Sequence, residues 1–423
     1  MLSEVNVYSN LDESESHLVK KWKNFLKSLF KDSIARRNFF FNNFMPDFEI
    51  RGRVIVNLMN DKTLFPNAEE FLILALVRRE LKILKFLQEV AKFNVHAFRF
   101  DGGMSALHYL LERGPHRSEY DARGMKTKEM VDYLLEDSLE NYQDDHGFTY
   151  FHGACMTGNV SAVLRFISQG VDIALDTYEY PPLHIAVQFK NTEIIKILLE
   201  NGASPNHQES SVQSTPLFWL AIPRCLCDHD CYSCEEKKPV GEIVDMLVKY
   251  GANIEARNAY GDSPLQIAVS RFKVELTRSL LKHGANLNSL DVNKLFVVNF
   301  REEELKSYPI TSNVMKVMQL LQSHGYELNM RTRLSMIKYL IKVKNESILV
   351  GVHPENTSIR LQLELFVADL FTMDYCKLNL PYVPCRTIAK HMCDEELIRL
   401  CEETDEEKLE RTILPMPKRR RLC

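Results

Sequence analysis

The chain has 423 residues, 45% of them hydrophobic and 26% charged, which supplies a core and excludes wholesale disorder. A formal net charge of -4 on this length is close to neutral, so no global basic field recommends nucleic acid or an anionic membrane as the main partner. The longest uninterrupted apolar run, Phe71 to Val77, is far short of a membrane span, and the first residues lack the apolar core of a signal peptide. The ten cysteines are therefore expected to be reduced, in a monomer of the cytoplasm and nucleus.

In chain order, residues 1–67 read as a helical N-terminal cap. Within it Leu18, Trp22, Phe25, Leu26, Leu29 and Phe30 share one face of a helix, and Lys20, Lys21, Lys23, Lys27 and Lys31 share the other. Such a helix can lie on a membrane or a partner, or cover the end of a stack of repeats, which is the reading favoured here.

Residues 68–330 carry an internal repeat, counted as about six units. The clearest begin at Gly147, Tyr180 and Asp262, and a further one at Ser214 carries an insertion between its helices. Pro182, Pro216 and Pro264 fit the first turn of a helix, where a missing N–H is no loss. The Thr215 hydroxyl is expected to cap the helix that follows. Ile194, Ile195, Leu198 and Leu199 form the apolar face of a second helix, and Gly202, Gly251 and Gly284 end such helices as left-handed caps.

Weaker units flank these. Met104 to His108 opens one whose second helix is expected from Glu129, with Gly114 to Lys126 as a loop. Upstream, Phe71 to Leu87 has repeat-like spacing without a turn motif; downstream, Met315 to Gly325 looks like a degraded copy.

Pro182-Leu183-His184-x-Ala186 and its counterparts carry the T-P-L-H-x-A pattern, and on these residues the chain resembles the ankyrin-repeat family. The resemblance implies an all-α repeat solenoid with hairpin tips that binds a target protein on its concave face, and gives the histidine a structural role tying neighbouring loops together. Thr177, Tyr178, Asn258 and Tyr260 fall at hairpin tips and are the expected target-binding residues.

The insertion near residues 223–240 places Cys225, Cys227, Cys231 and Cys234 with His229 within ten residues. Four thiols can close a structural zinc site, although the tight C-x-C pair also suits ordinary reduced thiols, which is the expectation; no other cofactor is expected.

Residues 331–377 read as a helical C-terminal cap, and residues 378–411 hold Leu380, Pro381, Ile388, Met392 and Leu397. These positions resemble the start of an F-box, and an F-box-like segment behind ankyrin repeats resembles the PRANC plan of poxviral and parasitoid-wasp proteins. That resemblance implies docking to the Skp adaptor of a cullin–RING ubiquitin ligase. The segment departs from an F-box at Val383-Pro384, and it reads equally as a capping helix pair. In the basic tail, residues 412–423, Lys418, Arg419, Arg420 and Arg421 stand behind two prolines, the extended form that nuclear import receptors read.

Nothing in the chain offers a phosphate-binding glycine loop, an H-E-x-x-H pair or a nucleophile elbow. The expectation is a non-catalytic adaptor, with an inhibitor or scaffold that occludes a partner such as a Rel-type transcription factor as the alternative.

Overall fold

Eighteen α-helices make up nearly all of the regular structure in the computed structural model, which describes residues 12–29, 33–43, 48–65, 70–112, 123–136, 138, 140–222, 239–299, 310–349, 364, 389–390, 392 and 394–403. Among these residues there is no strand, only an isolated bridge between Gln143 and Thr149 at the base of a hairpin. The helices fall into two compact units, one within residues 1–203 and one within residues 204–423.

The first unit opens with α1 (Glu13–Leu29), α2 (Ser33–Asn43) and α3 (Phe48–Met59). On the apolar face of α1, Leu26 is fully buried, Leu18 and Trp22 are half-buried and Phe25 is exposed, and the helix packs on α3. Lys23 pairs with Asp61. Burial raises the Asp61 carboxyl, but bonds from Lys23 and Thr63 outweigh it and hold the group down at about 2. Phe40, Phe65 and Phe71 interlock with ring centroids 5.0 to 5.6 Å apart, which seats α2 against α4 (Glu70–Arg78).

From α4 onward the chain is built from helix pairs. In the first unit these are α4 with α5 (Leu81–Glu89), α6 (Ala106–Glu112) with α7 (Arg123–Glu136), α8 (Tyr150–Thr157) with α9 (Val160–Ser168), and α10 (Pro182–Gln188) with α11 (Thr192–Glu200). Helices α4, α6, α8 and α10 stack in one row and their partners pack behind them.

Four pairs whose turns lie among the described residues close with the same device. Arg79, Gly158, Lys190 and Phe272 take positive φ, and the next amide donates to the carbonyl of a fully buried alanine five residues back: Glu80 to Ala75, Asn159 to Ala154, Asn191 to Ala186 and Lys273 to Ala268, at 2.9 to 3.0 Å. All four alanines are fully buried, where a larger side chain would have to displace packed neighbours. The pair α4–α5, which shows no turn motif in the sequence, closes in the same way as the pairs that do.

In the second unit, α12 (Pro216–Trp219) and α13 (Val240–Lys249) are followed by α14 (Pro264–Ser270) and α15 (Val274–Lys282); α12 packs on α14, α13 on α15, and α14 on α15. They are followed by α16 (Ile310–Ser323), α17 (Met330–Leu349) and α18 (Asp394–Glu403), each packed on its predecessor. Gly202, Gly251, Gly284 and Gly325 all take positive φ after their helices.

Two local expectations differ from the structure. The second helix of the weak unit begins at Arg123, not Glu129, so residues 123–126 are helix where a loop was expected. Thr215 stands at its N-cap, but the hydroxyl makes no capping bond. The Phe218 amide is already used, donating to the Thr215 carbonyl at 3.1 Å as the first of a run of tight i→i+3 bonds through this short helix. Ser263 and Thr149 do cap their helices through side-chain oxygen.

Candidate protein-binding surface

The hairpins between repeats display the side chains furthest from the core, so their construction decides what a partner meets. In the second unit the tip at residues 257–262 is built around Asn258, whose Oδ1 accepts from the amides of Tyr260 (3.0 Å) and Asp262 (2.9 Å). The Asn258 amide N–H donates to the Asp262 carbonyl and Gly261 donates to the Asn258 carbonyl, a loop closed by Gly261 at φ +74°.

Neighbouring elements hold this loop from both sides. Ala259 donates its amide to the Val212 carbonyl at 2.9 Å, and Gln208 Nε2 donates to the Arg257 carbonyl at 3.1 Å. From the following segment, Lys294 Nζ donates to the Tyr260 carbonyl (3.1 Å) and to Asp262 Oδ1 (2.6 Å). The result is a fixed backbone carrying a Tyr260 side chain that is 68% exposed, the most open of the large hydrophobic residues described. An aromatic ring with few torsions on an ordered loop is the type of group that anchors protein interfaces.

The preceding tip depends on Glu209. Its carboxylate accepts from the amides of Ser211 (2.6 Å), Val212 (3.1 Å) and Ser214 (2.9 Å) and from the Ser211 hydroxyl (2.6 Å). Burial raises the carboxyl, but these bonds together hold it below the ordinary range. Sequence reasoning passed over Glu209, Gln208 and Lys294. For Gln208 and Lys294 the bonds run to backbone carbonyls far along the chain and leave no local spacing to read.

The first unit's tip is less open. Thr177 Oγ1 donates to the Gly147 carbonyl at 2.8 Å, and the Tyr178 ring is half-buried, edge-on to Phe148 at 5.0 Å and to Tyr180 and His152 at 5.7 Å. Of the four expected contact residues, Tyr260 is presented to solvent, Asn258 is spent on positioning it, and Thr177, itself exposed, and half-buried Tyr178 tie their hairpin to the previous repeat.

The repeat histidines are structural. Buried His108 bridges the Ser105 hydroxyl (2.7 Å) and the Phe148 carbonyl 40 residues on (2.9 Å), which fixes its Nε2 as the donor. Burial lowers its basicity, as it does for His152, which forms a capping box with Thr149 and is pushed down to about 3.

At the other end, Met392 is half-buried and Leu397 is fully buried on α18, which packs on α17. Leu380, Pro381 and Ile388 lie outside the described residues, as do Cys225, Cys227, Cys231, Cys234 and Lys418 to Arg421. Among the described residues no group of three or more His, Cys, Asp or Glu is placed to hold a metal, and no helix is long and apolar enough to cross a membrane.

Comparison with known proteins matches residues 120–209 to a model of ankyrin repeats in three copies and residues 260–292 to a single-repeat model. An ankyrin repeat protein of fowlpox virus (strain NVSL), FPV230, is 30% identical over 159 residues, covering 33% of this chain and 85% of that one. The chain belongs to the ankyrin-repeat family. Other relatives of this ankyrin-repeat chain include the B-cell lymphoma 3 protein homolog of Mus musculus, 26% identical over 192 residues that cover 44% of this chain and 38% of that protein. The mouse ankyrin repeat and SOCS box protein 11 is 30% identical over 133 residues, covering 31% and 35%. Unlike FPV230, the B-cell lymphoma 3 and SOCS box relatives are spanned over well under half of their own length. The human ASB11 ankyrin repeat domain aligns with 61% of this chain and 99% of its own at 22% identity and a TM-score of 0.38.

Proposed function

We propose that the chain is a non-catalytic binding protein that holds a target protein with its repeat hairpins, Tyr260 being the central contact. The exposed Tyr260 ring on a loop fixed by Asn258, Val212 and Lys294 carries this reading. A partner that covers it gains apolar area without having to order the loop.

The finer reading is a ubiquitin-ligase adaptor: the repeats choose a target, and the F-box-like segment brings the Skp adaptor of a cullin–RING ligase. Its support is the Leu380-Pro381 start with Ile388 and Met392 behind it, and a relative whose name joins ankyrin repeats to a SOCS box. Buried Leu397 cannot contribute while α18 stays on α17, so Leu380, Pro381, Ile388 and Met392 are the contacts assigned to the adaptor.

That burial favours a second reading in which residues 394–403 only cap the stack, and the protein acts by occluding its partner, as ankyrin inhibitors of Rel-type transcription factors do. Co-purification separates the two. The intact chain recovers Skp and cullin under the adaptor reading, while a chain ending at Met373 and an intact chain with Leu380, Pro381 and Ile388 replaced by Ser do not. Recovery with none of the three leaves occlusion.

A further inference from the structure

The first helix covers its neighbours with one face and leaves another open, and its charges are sorted along its length. The carboxylates of α1 stand in the first turn, where a helix N-terminus favours negative charge. Of these, Glu15 is tied into the cap: it accepts from the Asp12 amide at 3.1 Å, and Asp12 Oδ1 accepts from the Glu15 amide at 2.7 Å. From Lys20 to the end of the helix every charge is positive. Lys23 pairs with Asp61. Lys20, Lys21 and Lys27 are exposed and reach no carboxylate among the described residues.

Open apolar groups lie at this same cationic end. Phe25, one turn after Lys21, is 40% exposed, with the half-buried Trp22 ring edge-on to it at 5.6 Å. Phe25 and Phe39, with ring centroids 6.4 Å apart, set α2 beside α1, and Ile34 in the first turn of α2 is 54% exposed. At about 100° per residue, Lys21 and Phe25 stand on one flank of the open arc and Lys20 and Lys27 on the other. Between the flanks lie Asn24 and Ser28, both exposed and uncharged.

We propose that the cationic end of α1, with Phe25 and Ile34, is a peripheral contact site for an anionic lipid surface. A helix standing out from the protein is convex, and a membrane is a surface that both flanks meet at once. The long lysine stems reach headgroup phosphates and carboxylates on either side, while Phe25 and Ile34 enter the boundary between headgroups and acyl chains. Leu26 stays buried throughout, so α1 needs no release from α3 to make the contact. Three unpaired lysines and two apolar side chains give a reversible, salt-sensitive attachment rather than an anchor. Nucleic acid fits less well, because a phosphate backbone answers the lysines but leaves Phe25 and Ile34 in water. The site is separate from the Tyr260 tip and does not rest on the reading of that tip as a protein contact.

The test uses the full chain and co-sedimentation with vesicles of phosphatidylcholine alone and of phosphatidylcholine with about a third phosphatidylserine. The chain should partition onto the anionic vesicles and not the neutral ones, and less so as salt rises. Lys20→Glu, Lys21→Glu and Lys27→Glu together should lower partitioning at least about tenfold with an unchanged melting temperature. Ile34→Ser, at an exposed position, should lower it by a smaller factor, and Tyr260→Ser should sediment as the parent does. The chain has two tryptophans and Trp219 is buried, so quenching of indole emission by brominated acyl chains reports on Trp22. That quenching should be seen with the parent and lost in the triple variant. The proposal is overturned if neither kind of vesicle is bound, if both are bound alike, or if charge reversal leaves partitioning unchanged. Capture of a DNA duplex in preference to the anionic vesicles, abolished by the same three changes, would overturn it too and give the patch to nucleic acid.

Discussion

Lys294 donates to the backbone carbonyl of Tyr260, 34 residues earlier, at 3.1 Å, and so locks from outside the loop whose side chain is most exposed. The same ammonium pairs with Asp262, which is mostly buried, so the contact is partly sheltered from solvent screening.

Lys294→Met should therefore loosen the tip more than it destabilises the fold. The expected cost is about 0.5–1.5 kcal/mol. Hydrogen exchange of the amides of Ala259 to Asp262 should quicken while the α14 amides stay protected. Unchanged exchange at the tip would mean Lys294 does not hold it.

Gly147 and Gly170 make a matched pair. Both take positive φ, but a Cβ on Gly147 would stand 1.5 Å from the Thr177 carbonyl oxygen, whereas one on Gly170 would meet nothing within 4 Å. Gly170→Ala should cost only the left-handed backbone, about 1–2 kcal/mol. Gly147→Ala should cost clearly more, since the Thr177 hairpin must move away. Equal shifts in denaturant midpoint would contradict the close approach.

The second unit relies on the Glu209 carboxylate, and the sign of its pH dependence follows. Its folded pKa lies below the ordinary 4.5, so its contribution is complete above that value and lost as pH falls through the lower one. Glu209→Gln keeps the shape but offers one acceptor oxygen and two donors where amides need acceptors. It should destabilise the unit by about 1–3 kcal/mol and flatten the acid limb of its unfolding curve. An unaltered acid limb would show that the carboxylate is not what titrates.

The first unit should be acid-sensitive at a higher pH. His108 and His152 are buried and neutral with lowered pKa values, so stability is full above the ordinary 6.5 and falls once the unfolded chain takes up protons that the folded one refuses. Each such histidine adds a slope approaching about 1.4 kcal/mol per pH unit below that point. His152→Gln, which can keep a side-chain acceptor near Thr149, should reduce the slope between pH 6 and 4 as read by urea unfolding. An identical slope would place the sensitivity elsewhere.

Most of the fold was legible because each repeat must bury the same face. Proline at the first turn, paired apolar residues on the second helix and glycine after it fix helix and turn locally, as at Pro182, Leu198 and Gly202. The pair α4–α5 was harder to read because no proline opens α4 as Pro182 and Pro264 open theirs; Arg79 takes the left-handed position that Lys190 and Phe272 also take, and the buried Ala75 betrays the shared turn. The binding surface was half legible. Tyr260 follows from its place on a hairpin, but Lys294 and Gln208 act on carbonyls far along the chain. Tyr178 also lies at a tip, and nothing local separates it from Tyr260; the neighbours Phe148 and His152 that half-bury it come from the previous repeat.

The central claim is that the Tyr260 tip holds a protein. The measurement that tests it most directly is quantitative affinity purification from the native host with the intact chain, with Tyr260→Ser, and with Tyr250→Ser, a change at an exposed tyrosine at the end of α13, all three checked for equal melting temperature. Proteins captured by the intact chain and by Tyr250→Ser but lost with Tyr260→Ser are the predicted result. The same set of captured proteins from all three would contradict it and move the binding site away from this hairpin.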